Sequence, residues 1–176
     1  MKFLKFLAWL IGIVIVIAIL LVMFAPTKVH IEKSIAIHAP DSVIWPHIVK
    51  FEHFNKWSEW SKMDPGATFS IQGEDGTEGA STTWKGKKIG DGKLQHTHLQ
   101  PYSKVQQKIY FYQPEESQAD VQFDLVPNER STVVTWTFDS EMKRPYNVMG
   151  LLMKGMLSDQ FEDGLESLKE EVEGTH

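Results

Sequence analysis

The fold is decided by residues 145–172, which read PYNVMGLLMKGMLSDQFEDGLESLKEEV. Apolar side chains recur in this stretch at steps of three and four, which is the spacing of one face of an α-helix. They are Met149, Leu152, Met153, Met156, Leu157, Phe161, Leu165, Leu168 and Val172. Pro145 suits a first helical turn and Gly174 suits a helix end. We therefore expect one helix of roughly 40 Å, which needs a broad apolar surface to lie on because helices in proteins are stabilised mostly by packing one face.

Short alternating segments earlier in the chain supply that surface. In residues 28–38, apolar side chains alternate with polar ones, and Lys33 is the exception on the apolar face. From residue 67 onward, further alternating stretches are separated by turn signals, among them Asp75-Gly76 and residues 114–116. About seven strands joined by short turns predict an antiparallel sheet, with one face in water and the other under the long helix.

Two short segments of helical or aromatic character separate the first two strands. Residues 41–50 have helical spacing, with Asp41 as the N-cap and Pro46 as a residue that shortens or kinks the helix. Residues 51–61 (FEHFNKWSEWS) are dense in aromatic side chains, and they form either a second short helix or a loop.

Residues 6–24 are an uncharged apolar run that spans about 28 Å as a helix, close to the hydrocarbon thickness of a bilayer. A cleaved signal peptide has a shorter apolar core and small residues before the cut, and Met23 does not suit such a site. We therefore favour an uncleaved single-pass anchor in residues 1–27, followed by a globular domain in residues 28–176. Two lysines before the run put the N-terminus in the cytoplasm and the domain on the extracytoplasmic (periplasmic) side.

The composition limits the possible functions. The chain has 176 residues and a formal net charge of −5, which argues against a nucleic-acid partner. Cysteine is absent, so neither a disulfide framework nor thiol chemistry is available. Six tryptophans and ten phenylalanines provide aromatic surface for a core or an apolar pocket.

Several motifs, in this order, carry a resemblance to a known family. They are VHIEKSIAIHAP (29–40), FNKWSEW (54–60), GEDGTEGASTTW (73–84), IGDG (89–92), STVVTW (131–136) and FEDGLESLK (161–169). The chain resembles the START/Bet v 1-like, or SRPBCC, superfamily, and within it the bacterial polyketide cyclase/dehydrase branch. The resemblance implies an α+β helix-grip fold, in which an antiparallel sheet wraps a long C-terminal helix. This superfamily includes lipid carriers, hormone receptors and ring-closing enzymes, so the resemblance implies the fold more strongly than the function.

We expect a cavity between the sheet and the long helix, lined by apolar and aromatic side chains. The candidate ligand-binding residues are Trp60, Trp84, Ile109, Phe111, Phe123, Trp136, Met149, Met153 and Met156. Methionine suits such a place because its flexible side chain adapts to irregular contents. The alternative for each residue is ordinary core packing, and periodicity does not separate the two interpretations.

Polar side chains offer little catalytic chemistry. His96 and His98 are spaced to share a metal ion, but a third ligand is not evident nearby, and a solvated strand face explains them more simply. The sequence shows no nucleophile–base pair, phosphate-binding glycine loop or metal signature. We therefore predict no catalytic residue, no metal and no cofactor, and we favour a protein that is not an enzyme.

The leading hypothesis is a membrane-anchored binding module for a lipid or other hydrophobic small molecule, held between the sheet and the C-terminal helix. One alternative is a polyketide cyclase/hydratase-like enzyme that uses the same cavity. The other is a structural or interaction domain with a filled core. The partners expected from the first hypothesis are the hydrophobic ligand and the membrane, and the sequence identifies no protein partner.

Overall fold

The computed structural model describes residues 2–113 and 116–174, without the side chains of Leu4 and Leu152. The predicted turn at 114–116 therefore lies largely outside the described residues. The helices are α1 Lys2–Phe24, α2 Asp41–Val49, α3 Phe51–Trp57, α4 Glu59–Met63 and α5 Asn147–Glu173. The strands are β1 Lys28–Ile37, β2 Thr68–Gln72, β3 Ser81–Gly86, β4 Gly90–Gln100, β5 Lys104–Phe111, β6 Ser117–Pro127 and β7 Thr132–Glu141.

The seven strands form one antiparallel sheet in the order β1-β7-β6-β5-β4-β3-β2. The strands from β2 to β7 follow one another in the sheet as they do in the chain, and β1 pairs with β7. Alternate side chains on one face are buried under α5 and the α2–α4 segment. The predicted helix-grip fold, with a seven-stranded antiparallel sheet, a long C-terminal helix and an apolar N-terminal helix, is confirmed.

Lys33, the exception in the alternation of β1, has a partner on α5. Its Nζ lies 2.6 Å from the Glu162 carboxylate, and this hydrogen bond, together with the charge of Lys33, lowers the pKa of Glu162. A long amphipathic side chain on the apolar face can bury its stem and still keep its charge paired. The ion pair therefore links the first strand to the middle of the long helix.

The helix starts differ slightly from the prediction. Pro40 occupies the N-cap position of α2, and Asp41 is its first helical residue, whose carboxylate accepts the backbone N–H of Ser42. The long helix begins at Asn147, because Pro145 belongs to a turn in which the Tyr146 N–H donates to the carbonyl of residue 143. Local hydrogen bonds of this kind set where a helix begins, and the spacing of hydrophobic residues gives no information about them.

The long helix has two unlike halves. The inner half, residues 157–173, buries five apolar side chains on the sheet: Leu157, Phe161, Leu165, Leu168 and Val172. The outer half, residues 147–156, leaves three apolar side chains about half exposed: Met149, Leu151 and Met156. The inner half therefore buries most of the apolar surface predicted for the whole helix, whereas the outer half contacts the domain through Asn147, Gly150 and Met153.

The first helix is apolar and projects from the domain. Its segment Lys5–Phe24 has a mean hydropathy of 3.2, and none of it is buried. That length and composition are enough to cross a membrane.

Candidate ligand cavity

A cavity of about 80 Å³ lies between the inner face of the sheet, the α3–α4 segment and the inner half of α5. Its lining is almost entirely apolar. The lining residues are Phe54, Asn55, Ser58, Glu59, Trp60, Ser61, Phe69, Thr82, Trp84, Leu94, Ile109, Phe111, Val121, Trp136, Phe138, Leu157, Gln160 and Phe161. The domain interior is therefore not filled throughout, as the hypothesis of a binding cavity requires.

One wall of the cavity is a cluster of three aromatic rings. Trp60, Trp84 and Phe111 contact one another edge to face, with ring centroids 6.0 to 6.1 Å apart. Trp84 can lie flat on the neighbouring strand because its cross-strand partner is Gly92. A Cβ atom at Gly92 would collide with the indole ring, so this glycine is required by the close approach.

The opposite wall is built where the sheet meets α5. Trp136 of β7 packs on Phe161 with ring centroids 4.0 Å apart, and Phe123 stacks on Trp136 at 4.9 Å. Gly164 allows the helix to come this close, because a Cβ there would lie 3.0 Å from Cζ3 of Trp136. This wall joins the cavity to the core, so the cavity depends on the packing of the inner half of α5.

The three tryptophans of the cavity also carry unsatisfied polar groups. The indole N–H groups of Trp60, Trp84 and Trp136 are buried, and none has a hydrogen-bond partner within the described part of the chain. An indole N–H only donates, and a buried donor without a partner costs about 1–3 kcal/mol. The side chains that line the cavity therefore include three indole donors whose hydrogen-bonding capacity is unused within the described part of the chain.

The charged residue that lines the cavity is Glu59, at the end of the cavity that is formed by α4. Its Oε1 accepts hydrogen bonds from Lys62 at 2.6 Å and from the Ser167 hydroxyl at 3.0 Å. Lys62 also donates to Ser167, at 2.8 Å. These contacts hold α4 against α5, and they occupy the carboxylate that an acid–base mechanism in the cavity would use.

The match to a family model extends over residues 28–173 and is described as polyketide cyclase/dehydrase and lipid transport. The chain belongs to this family. It is therefore a member of the SRPBCC superfamily, as its sequence motifs predicted. Membership supports a domain that binds a hydrophobic ligand.

Solved structures agree with this family fold at low sequence identity. DynU16, a putative protein in the dynemicin biosynthetic locus, matches with a TM-score of 0.59 and 17% identity, over 82% of this chain and 47% of that protein. This chain therefore spans about half the length of DynU16. MLL2253 from Mesorhizobium loti matches with a TM-score of 0.63 and 12% identity, over 84% and 98% of the two chains. Ara h 8.0201 matches with a TM-score of 0.59 and 9% identity, over 84% and 99%.

These structures show the fold alone. A comparison of the sequence with curated proteins finds no significant match. The chemistry of this family member must therefore be argued from its own cavity.

The predicted ligand-binding residues divide into two groups. Five of the nine line the cavity: Trp60, Trp84, Ile109, Phe111 and Trp136. Four do not. Phe123 is fully buried behind Trp136, Met153 packs at the edge of the core, and Met149 and Met156 are about half exposed.

The sequence analysis did not select the cavity residues contributed by α3 and by the inner half of α5. Phe54, Leu157 and Phe161 line the cavity together with the predicted residues. Two signals could have identified them. Phe54 opens the aromatic motif at 54–60, and the other two lie on the apolar stripe of the long helix.

His96 and His98 lie on opposite faces of β4, and the interpretation as one solvated face is wrong. A bulge at Thr97 shifts the register, so that His96 pairs with Gln107 and His98 with Gln106. One extra residue moves the next side chain to the other face of the strand. His98 points outward, with Nδ1 2.8 Å from Glu78.

His96 is a structural residue of the core. Its Nε2–H donates to the Val49 carbonyl at 2.7 Å, and Nδ1 accepts from the Gln107 amide at 3.3 Å. The ring stacks on Phe51 with centroids 4.3 Å apart, and burial lowers the pKa of His96. The neutral imidazole thus connects the sheet to the end of α2.

Among the described residues, one group could hold a metal ion. His47, His53 and Glu171 each offer a ligand atom, and these atoms lie within 4.8 Å of one another. They are on α2, α3 and the end of α5, and none of them lines the cavity. His47 Nδ1 lies 3.3 Å from Glu171, a contact that connects α2 and α5 directly.

Proposed function

We propose that this family member is a membrane-anchored binding module for a lipid or another hydrophobic small molecule. The observation that carries the proposal is the aromatic, apolar cavity between the sheet and α5. An exposed apolar helix, long enough to cross a bilayer, precedes the domain that contains this cavity. A hydrophobic ligand is concentrated in the bilayer, so an anchor keeps the binding domain close to its supply.

In this proposal, residues 1–27 are the anchor and residues 28–176 are the ligand-binding domain. The charge-free segment at 6–24 spans the membrane, and the two lysines before it stay in the cytoplasm. The domain then lies on the extracytoplasmic side. A bacterial envelope is the setting that the polyketide cyclase/dehydrase resemblance favours.

The ligand must widen the cavity when it binds. A space of about 80 Å³ holds a few water molecules, whereas pockets for drug-sized ligands measure about 300–1,000 Å³. The wall best suited to move is α4, because this five-residue helix has no buried residue and is held to α5 by contacts of Glu59 and Lys62. Outward movement of α4 would carry Trp60 away from Trp84 and Phe111, and it would enlarge the space between these rings at the cost of their contacts.

The unsatisfied indole groups indicate which hydrophobic molecules fit best. Trp60, Trp84 and Trp136 supply donors around a lining that is otherwise apolar. A molecule with a long apolar body and an uncharged oxygen acceptor, such as a carbonyl, ester or hydroxyl group, would pair with one of them. A doubly charged headgroup would find no buried cation among the lining residues.

The family also includes cyclases, and turnover in this cavity would require Glu59 as the acid or base. Lys62 and Ser167 already hold that carboxylate at the end of the cavity. A general base must be free to reach the proton that it removes. We therefore propose binding rather than catalysis.

Native mass spectrometry of the full chain, released from detergent micelles, tests the proposal. We expect a hydrophobic molecule to remain bound to the wild type and to be lost from Ile109→Trp, which fills the cavity. Val121→Phe is a second cavity-filling variant, in which a smaller side chain is introduced, and it should lose the ligand as well. The matched control is Val126→Trp on an exposed position of the sheet, which should keep the ligand.

Two results would contradict the binding proposal. One is equal ligand occupancy in Ile109→Trp and Val126→Trp. The other is a wild-type chain that stays empty even after incubation with monoolein, an uncharged lipid with a long apolar chain, an ester and two hydroxyl groups.

A further inference from the structure

The end of α1 is held by two side chains, one from the turn before α5 and one from its first residue. Arg144 donates from Nε to the Val22 carbonyl and from Nη2 to the Met23 carbonyl, both at 3.0 Å. Asn147 is fully buried, and its amide donates to the carbonyls of Val22 at 3.0 Å and Ala25 at 2.8 Å. The last carbonyls of a helix lack intrahelical partners and carry partial negative charge, so these donors satisfy them. The contacts place the first turn of α5 beside the last turn of α1.

Apolar side chains are exposed at this junction. Tyr146, Met149, Leu151 and Met156 have between 47% and 51% of their surface exposed. They lie within three turns of the chain, beginning at Tyr146, and the neighbouring Asn147 bonds the end of α1, where Phe24 is also exposed. Exposed apolar patches of this kind mark contact surfaces on soluble domains.

The charges on the two halves of α5 differ in sign. Residues 142–158 contain Lys143, Arg144 and Lys154 and no acidic residue. The acidic residues of the helix all lie beyond this point: Asp159, Glu162, Asp163, Glu166, Glu170, Glu171 and Glu173. Apolar side chains with interspersed cations suit the surface of a bilayer that contains anionic lipids, whereas the acidic half is repelled by it.

We propose that the outer half of α5, together with Tyr146, lies in the headgroup region of the bilayer that α1 spans. This inference rests on the anchor of the proposed function. A second copy of the chain could also cover an apolar face, but lipid is the occupant already present at the end of a spanning helix. The lining of the cavity on α5 begins at Leu157, the residue after the outer half. A ligand that leaves the lipid surface along α5 would therefore reach the cavity within one helical turn.

The absence of cysteine makes a depth measurement direct, because a single introduced cysteine carries the only label. An environment-sensitive fluorophore is attached to Met149→Cys or Leu151→Cys in the full chain. The matched controls are Glu166→Cys and Glu170→Cys, which are exposed on the inner half of the same helix. The proteins are reconstituted in vesicles of phosphatidylcholine and phosphatidylglycerol that contain either nitroxide-headgroup lipid or aqueous iodide.

We expect nitroxide lipid to quench the labels at 149 and 151 several-fold more than those at 166 and 170, and iodide to show the reverse order. Equal quenching at all four positions would overturn the inference. A label at Val14→Cys, in the middle of α1, reports the anchor separately, in vesicles whose lipid carries the nitroxide on the acyl chain. If the label at 14 is not quenched by lipid, the anchor proposal fails; if it is quenched while 149 and 151 remain in water, only this inference fails.

Dilution to one protein per vesicle separates lipid from a second copy. If the labels at 149 and 151 remain protected from iodide quenching on dilution, the result supports contact with lipid. If the protection from iodide disappears on dilution, the surface is covered by a second copy of the chain and the inference is overturned.

Discussion

The two halves of α5 share one hydrophobic pattern but have different surroundings. In the inner half, Leu157, Phe161 and Leu165 lie on the sheet and the charged side chains face water. In the outer half, Met149 and Met156 belong to the same predicted apolar series but lie to the side of this buried face, and they remain half exposed. Amphipathic spacing thus shows that a helix has an apolar face, but it does not show whether protein or lipid covers that face.

The largest expected difference between the halves is in stability. Leu168→Ala in the inner half removes a fully buried side chain, and it should lower the free energy of unfolding by about 2–5 kcal/mol. Leu151→Ala makes the same chemical change at an exposed position of the outer half, and it should change the free energy by less than about 0.5 kcal/mol. Denaturant unfolding of the full chain in one detergent measures both. Equal destabilisation would show that Leu151 also packs on the domain.

Glycine-to-alanine substitutions in the two halves should also differ in their effect on stability, by a smaller amount. A Cβ at Gly155 in the outer half meets no atom within 4 Å, so Gly155→Ala should raise stability by about 1 kcal/mol through helix propensity. At Gly164, the added Cβ would lie 3.0 Å from Trp136, so Gly164→Ala should lose most or all of that gain. Thermal unfolding of the two variants gives the difference. An equal gain at both positions would mean that Trp136 can move away from α5 at little cost.

The smallest expected effect is on the loss of stability at low pH. The pKa of Glu162 in the inner half is lowered by Lys33, so this ion pair contributes stability above the ordinary pKa of 4.5. The contribution is lost as the pH falls through the folded-state pKa, because the folded protein then has to take up the proton that the unfolded chain already binds. Glu162→Gln should therefore show a smaller drop in melting temperature between pH 7 and pH 4 than the wild type does.

Glu166→Gln, also exposed on the inner half, is the control and should keep the wild-type drop. An unchanged drop in Glu162→Gln would show that the ion pair contributes nothing to acid sensitivity.

Most of the fold could be predicted because it depends on local periodicity. The alternation in β1 and the turn signals along the rest of the chain led to the observed seven-stranded sheet, and even the exception at Lys33 proved to be a surface charge with a partner. His96 shows the limit of this approach. A bulge at Thr97 depends on how β4 pairs with β5, and the spacing of the two histidines contains no information about that pairing.

The candidate cavity was predictable only in part. Trp60, Trp84 and Trp136 were selected as large aromatic residues at inward positions, and they line the cavity. Phe123 satisfied the same criteria but lies behind Trp136. Both rings point inward, but Trp136 borders the cavity and Phe123 does not. The difference depends on how the two rings stack on each other, which the residue pattern of a single strand does not reveal.

By itself, the sequence determined that an apolar anchor-length helix precedes a sheet and a long amphipathic helix, because periodicity and composition act over a few neighbouring residues. Only the tertiary structure decided where the cavity lies and which half of α5 is left uncovered. Those features depend on contacts between residues more than a hundred positions apart in the chain, such as Arg144 with Val22 and Lys33 with Glu162. Such contacts form when the chain folds back on itself, and the local pattern of residues cannot specify them.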